Sequence, residues 1–191
     1  MNLKSALSLV VFAAAASSAS VAVAGPYFGA SFGTARTDVN CDGFTSCDRT
    51  GDSYRLHIGH RFGENWAIEG SYGRVGSASA SAVSGTTPIN VDVKASSLGI
   101  GAAYFLPFSE SWVGVVRGGV AATRTQAGGS VGSSYVASIT ETKAIPYAGI
   151  GISYRLTPNF SIDGTFDYTQ MKFGGETNGV PALRIGLSYS L

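Results

Sequence analysis

Apolar and polar residues alternate with period 2 in eight segments of strand length. In the first, Tyr27 to Ala35, Phe28, Ala30 and Phe32 oppose Tyr27, Gly29, Ser31 and Gly33. In the second, Ser53 to Phe62, Tyr54, Leu56 and Ile58 oppose Arg55, His57 and Arg61. The third starts at Trp66 and sets Ile68 and Tyr72 against Glu69 and Ser71; the fourth runs from Ser97 to Leu106. The fifth spans Trp112 to Thr123, the sixth Tyr147 to Leu156, the seventh Phe160 to Thr169 and the eighth Ala182 to Leu191. Every strand charge, namely Arg55, Arg61, Glu69, Arg117, Arg155, Asp163, Asp167 and Arg184, falls on the face opposite the aliphatic one. This pattern predicts an all-β fold.

A soluble sandwich would bury the apolar face and a membrane barrel would turn it to lipid, so alternation alone serves either. The aromatic residues separate the two. Trp66, Trp112 and Phe160 begin their strands, and Tyr104, Tyr154 and Tyr189 lie near the ends of others. All six therefore gather at one rim, as an interfacial girdle does. Connections also alternate in length. The links Gly63 to Asn65, Pro107 to Ser111 and Thr157 to Asn159 are tight, whereas those starting near Arg36, Gly76, Thr125 and Gln170 are long. Short periplasmic turns and long outer loops are the barrel arrangement. The expectation is an eight-stranded antiparallel up-and-down transmembrane β-barrel, closed because an open sheet edge would leave peptide groups unpaired in hydrocarbon. At that width side chains just fill the interior, so a packed polar lumen is expected. Strand glycines such as Gly99, Gly101, Gly149 and Gly151 would make room there for inward arginines.

The N-terminus changes the picture of location. Met1-Asn2-Leu3-Lys4, an alanine-rich apolar run from Ala6 to Ala16 and the small residues of Ala22-Val23-Ala24 read as a signal peptide cleaved after Ala24. Residues 25–191 would then form one barrel domain. Gly25, not Cys, directly follows the cleavage point, so a lipid anchor is not indicated. Losing Lys4 with the leader leaves 12 basic and 12 acidic residues, which is no footprint for nucleic acid. The 26 glycines, 9 tyrosines and 10 phenylalanines suit strands and turns, and outside the leader no stretch approaches the roughly 20 apolar residues of a membrane helix.

The segments Cys41-Asp42-Gly43-Phe44-Thr45-Ser46-Cys47-Asp48 and Gly59-His60-Arg61-Phe62-Gly63-Glu64-Asn65-Trp66-Ala67-Ile68-Glu69-Gly70-Ser71-Tyr72-Gly73 carry a family resemblance, as do residues 149–160 and the terminal Arg184-Ile185-Gly186-Leu187-Ser188-Tyr189. The chain resembles the OmpA-like outer-membrane β-barrel family over essentially its whole mature length. The resemblance implies a Gram-negative outer membrane, both termini in the periplasm, outer-membrane lipid around the barrel and the barrel-assembly machinery as a partner in biogenesis. It also implies inward salt bridges. Members often end in Phe where this chain has Leu191. Larger members add a peptidoglycan-binding domain; here the sequence stops at the eighth strand, so a cell-wall tether is not implied.

Cys41 and Cys47, the only cysteines, sit in the first outer loop of an exported chain, where a disulfide is expected. A metal or redox centre would need more ligands or a Cys-x-x-Cys spacing. Arg55, Glu69, Arg117, Asp163, Asp167 and Arg184 face inward. Paired carboxylates could do acid and base work, but an ion-pair network plugging the lumen accounts for all six, because buried charges must be paired. His57 points inward and His60 outward, with no Ser in a recognisable hydrolase arrangement. No enzyme activity, metal or cofactor is expected. The segments 76–90 and 125–142, rich in Ser, Gly, Thr and Ala, read as solvated loops. The sequence reading is thus a monomeric structural barrel displaying loops; a small solute or ion channel, or an adhesin contacting a host or surface ligand, are the alternatives.

Overall fold

The computed structural model describes residues 25–37, 45–84, 87–131, 134–173 and 176–191, and Cys41 lies outside them. Nine strands and no helix occur among them: β1 (Pro26–Arg36), β2 (Ser46–Asp48), β3 (Thr50–Phe62), β4 (Trp66–Ser84), β5 (Thr87–Pro107), β6 (Trp112–Val131), β7 (Ser134–Arg155), β8 (Phe160–Phe173) and β9 (Glu176–Ser190). All strands but β2 form a closed antiparallel barrel. Each is hydrogen-bonded to the next, and β1 pairs with β9 from Tyr27↔Ser190 to Ala35↔Ala182. Closure leaves the barrel wall without an edge, which is what a strand-built wall in hydrocarbon requires.

The outer surface is the apolar face of the predicted alternation. Ile58 is 64% exposed, Leu98 64% and Ile185 61%. On β3 such residues alternate strictly with buried Ser53, Arg55 and His57. A continuous apolar surface of this kind is stable only against a hydrocarbon solvent. No helix among the described residues is long and apolar enough to cross a membrane, so any crossing falls to the strands. At one end the turns are tight. Gly63 joins β3 to β4 with φ +66°, in the left-handed region where a Cβ is strained, and Asn65 braces that turn by donating to the Phe105 carbonyl at 2.7 Å. Asn159 does the same for Ser190 O at 2.8 Å.

At the other end the structure departs from the sequence reading. The described parts of segments 76–90 and 125–142 are strand, not loop. β4, β5, β6 and β7 run for 19, 21, 20 and 22 residues, about twice the 9–11 that cross a bilayer, and only residues 85–86 and 132–133 separate their hairpins. These four strands rise beyond the barrel as one sheet. Small residues such as Ser79, Ala80 and Ser81 have little contrast in hydropathy, so their alternation is nearly invisible; the ladders of neighbouring strands hold them extended. A bulge adds to the concealment. The β4–β5 register skips Val75, so inward positions on β4 change from odd to even numbers. The short β2 caps the free edge of β4 above the point where β3 leaves it, pairing Ser46 with Ser81. On the far side the β7–β8 ladder ends at Tyr147↔Thr169, next to Pro146, whose nitrogen cannot donate.

The lipid-facing assignment is testable. Ile152→Arg and Ile185→Arg each place a cation on the outer wall, at a cost of about 2–4 kcal/mol near a bilayer midplane. Both should lose the heat-modifiable gel mobility of the folded barrel in liposomes, whereas Ser161→Thr on the inner face should keep it. Parent-like folding of both Arg variants would remove the assignment.

Candidate functional site

The lumen gathers the buried charged side chains of the described residues, and it is built in three layers. Nearest the tight turns, Tyr27, Ala67, Ala103, Phe105, Val113 and Val115 form an apolar cluster. Tyr27 meets Phe105 edge to face at 5.8 Å between ring centroids. The Arg61 guanidinium covers them, 4.1 Å from the Phe105 centroid and 5.3 Å from that of Tyr27. At the end of the long hairpins a second apolar cluster comprises Ala35, Val75, Ala95, Met171, Val180 and Ala182, with Val93 against it. The expectation of a polar packed lumen therefore holds for the middle layer alone.

Between the clusters runs a chain of alternating charge. Arg117 Nε lies 3.8 Å from Glu69 Oε2, and Arg55 Nη2 donates to the same oxygen at 3.2 Å. Arg55 Nη1 reaches Asp167 Oδ1 at 3.2 Å, and Arg184 Nη1 reaches Asp167 Oδ2 at 2.5 Å. The order is Arg117, Glu69, Arg55, Asp167, Arg184, contributed by five strands. Alternate placement on adjacent strand faces brings these residues together because each stands at an inward position of its own period-2 pattern. Glu69 is 1% exposed. Its second oxygen accepts from Tyr27 Oη at 2.7 Å, which ties the ionic layer to the apolar cluster below. Arg184 Nε donates to Ser53 Oγ at 2.8 Å. A void of about 50 Å³ opens beside Arg55, Arg184 and Tyr147, room for a few water molecules.

Of the six inward charges singled out in the sequence, five are in this chain and Asp163 is not. Asp163 accepts from Ser188 Oγ instead, and Ser188 also lies 3.5 Å from His57 Nε2. Ser, His and Asp thus sit close together without the relay that a nucleophile needs. There the imidazole stands between hydroxyl and carboxylate; here the carboxylate holds the hydroxyl, and His57 Nδ1 has no partner among the described residues. No group of three or more His, Cys, Asp and Glu suited to a metal ion occurs among them either. The glycines make room, though for other groups than the sequence suggested: a Cβ on Gly149 would collide with Asp167 Oδ1, and one on Gly101 with Tyr147 Oη. Tyr27, Ser53 and Tyr147 join the site without a charge to mark them in the sequence. Tyr27 and Tyr147 were legible as aromatic residues on otherwise small or polar faces.

The six rim aromatics pair across strands. Trp66 packs on Tyr104 and Trp112 on Tyr154, each at 4.8 Å, while Phe160 stands opposite Tyr189. Arg155, at the rim, is exposed and donates to the Glu110 carbonyl. Cys47 is half-buried on β2, opposite Ala80.

A closed antiparallel wall with an apolar outside, a charged inside and an aromatic rim defines a transmembrane β-barrel. The model of the outer membrane protein beta-barrel domain matches residues 5–190, and the chain belongs to that family. Solved structures with the same fold include the outer membrane protein OprG of Pseudomonas aeruginosa (TM-score 0.62, 14% identity, 88% of this chain and 96% of that one). Others are Neisserial surface protein A (0.57, 17%, 87% and 97%) and Ail, the attachment invasion locus protein of Yersinia pestis, in complex with a heparin analogue (0.56, 22%, 87% and 99%). No curated protein matches the chain.

Removing one partner from the buried chain leaves charge uncompensated. Glu69→Ala strands Arg55 and Arg117 and should cost about 3–5 kcal/mol; Tyr27→Phe removes one hydrogen bond to a charged group, about 1.5–3 kcal/mol. Urea titration of the folded barrel in detergent should therefore place the Glu69→Ala midpoint below that of Tyr27→Phe. The reverse order would mean that water reaches the carboxylate freely.

Proposed function

We propose that this protein is a structural barrel of the outer membrane that closes its own lumen and displays a four-stranded sheet outside the cell, without catalysis. The observation that carries this reading is the occupied lumen. Two apolar clusters bracket a chain of five paired charges, and an ion crossing it would have to break those pairs in a low-dielectric interior. The broken Ser188–His57–Asp163 geometry supports the absence of hydrolysis. Removal of residues 1–24 during export, a monomeric barrel and periplasmic termini belong to the same proposal, with the tight turns inside and the long hairpins outside.

Planar-bilayer recording of the refolded parent should show rare, small openings. Asp167→Ala, which removes the carboxylate shared by Arg55 and Arg184, should raise the frequency of openings. A large, steady conductance in the parent would replace the closed barrel by a channel.

A Cys41–Cys47 bridge is part of the proposal, supported by the lack of any free cysteine among the described residues. Protein taken from the outer membrane should resist alkylation until reduced, and Cys41→Ser with Cys47→Ser should still insert, because the bridge closes a short loop outside the wall. Two alkylated thiols in the unreduced parent would end this part of the reading.

A further inference from the structure

The outward face of the long sheet changes character at one level. On β4, β5, β6 and β7 the last apolar row is Tyr72, Leu98, Ala122 and Ala144, which are mutual partners across the ladders. One step further along the strands, the facing row is Arg74, Ser96, Arg124 and Thr142. Lys94, the next outward residue of β5, stands above Ser96. Strands are spaced roughly 5 Å apart, so Arg74 and Arg124 flank Ser96 with backbones about 10 Å from each other and Lys94 between and above them.

These three cations are outward by burial as well as by register. Arg124 lies exposed between Thr123 and Thr125, which are 2% and 1% exposed, and Lys94 is exposed beside buried Ala95. Arg74 leans over the outward Tyr54 ring at 5.9 Å. None of the three forms an ion pair with a carboxylate among the described residues. The nearest outward acids are Asp52 on β3, one step beyond Tyr54, and Asp92 on β5, one step beyond Lys94. The residues directly on the hydrocarbon boundary are thus cationic, and the acids lie farther out.

We propose that Arg74, Lys94 and Arg124 form a binding site for the phosphate groups of an outer-leaflet glycolipid, with Ser96 and Thr142 as hydroxyl donors beside it. Guanidinium groups bind phosphate bidentately. A row set immediately above the apolar wall meets the headgroup of a lipid whose acyl chains lie against Leu98 and Tyr72, which a soluble anion cannot exploit. The inference rests on the orientation given under the proposed function, in which this end faces outward.

The test uses the full mature protein folded in neutral detergent with EDTA, and fluorescent bisphosphorylated lipid A, with dephosphorylated lipid A, inorganic phosphate and heparin as comparison probes. The parent should retain the bisphosphorylated lipid about tenfold better than the dephosphorylated one, with little displacement by inorganic phosphate. The combined variant Arg74→Gln, Lys94→Gln, Arg124→Gln should lose that preference; if it fails to fold by gel mobility, Arg124→Gln alone should reduce it. Lys143→Gln, on the inward face, should keep it. Equal retention of both lipids by the parent, an unchanged preference in the variants, or heparin binding lost in the variants without any lipid preference would overturn the proposal; full competition by inorganic phosphate would do so as well. The micelle assay does not depend on orientation. Labelling a Ser79→Cys variant on intact cells, in the Cys41→Ser, Cys47→Ser background, reports orientation alone, so the two readings can fail separately.

Discussion

Hydrocarbon offers a peptide group no hydrogen-bond partner, so each N–H and C=O in the wall must find one within the wall. Closure of β1 onto β9 answers that demand, since it removes the only two edges an eight-stranded meander would have. Much else follows from it. A closed sheet has an inside and an outside, and period-2 alternation then sorts Ile58 from His57 and Ile185 from Arg184 without any further instruction. Where the strands leave the apolar zone the demand relaxes, and there edges reappear: β4 is covered by β2, and β7 parts from β8 at Pro146.

The inside of so narrow a barrel is a core, and it obeys the rules of cores. The five charges of its middle layer each have an opposite neighbour, and its ends are sealed by apolar side chains. The arrangement is economical in anions: Glu69 serves Arg55 and Arg117, and Asp167 serves Arg55 and Arg184. Three cations share two carboxylates, and Tyr27 and Ser53 supply neutral partners at the margins. Such sharing couples five strands through two side chains, so the lumen locks the register of the wall as well as filling it.

The wall in turn positions chemistry on its outer surface. The same ladders that hold β4, β5 and β6 in register set Arg74 and Arg124 side by side at the upper limit of the apolar band, although they are far apart in sequence. The structure therefore has two ionic zones of different kind. Inside, a chain of five charges is paired and shielded; outside, the cations at the hydrocarbon boundary have no carboxylate partner among the described residues.

The eight barrel strands, their faces, the aromatic rim and the inward residues were readable from the sequence, because each depends on a periodicity that a single strand displays by itself; the short β2 was not. Trp66, Trp112 and Phe160 announced strand starts, and Arg55, Glu69 and Asp167 their inward positions. The length of β4 to β7 was not readable. Beyond Val75 the residues are small and the bulge exchanges inward for outward positions, so pairing with neighbours, rather than local pattern, keeps the backbone extended. Nor could the sequence say which carboxylate meets which arginine. Asp163 and Asp167 stand four residues apart on one strand face with the same local signature, yet one joins the ion-pair chain and the other holds Ser188. That choice is made by the height at which neighbouring strands present their side chains, a property of the inter-strand register that exists only once the barrel has closed.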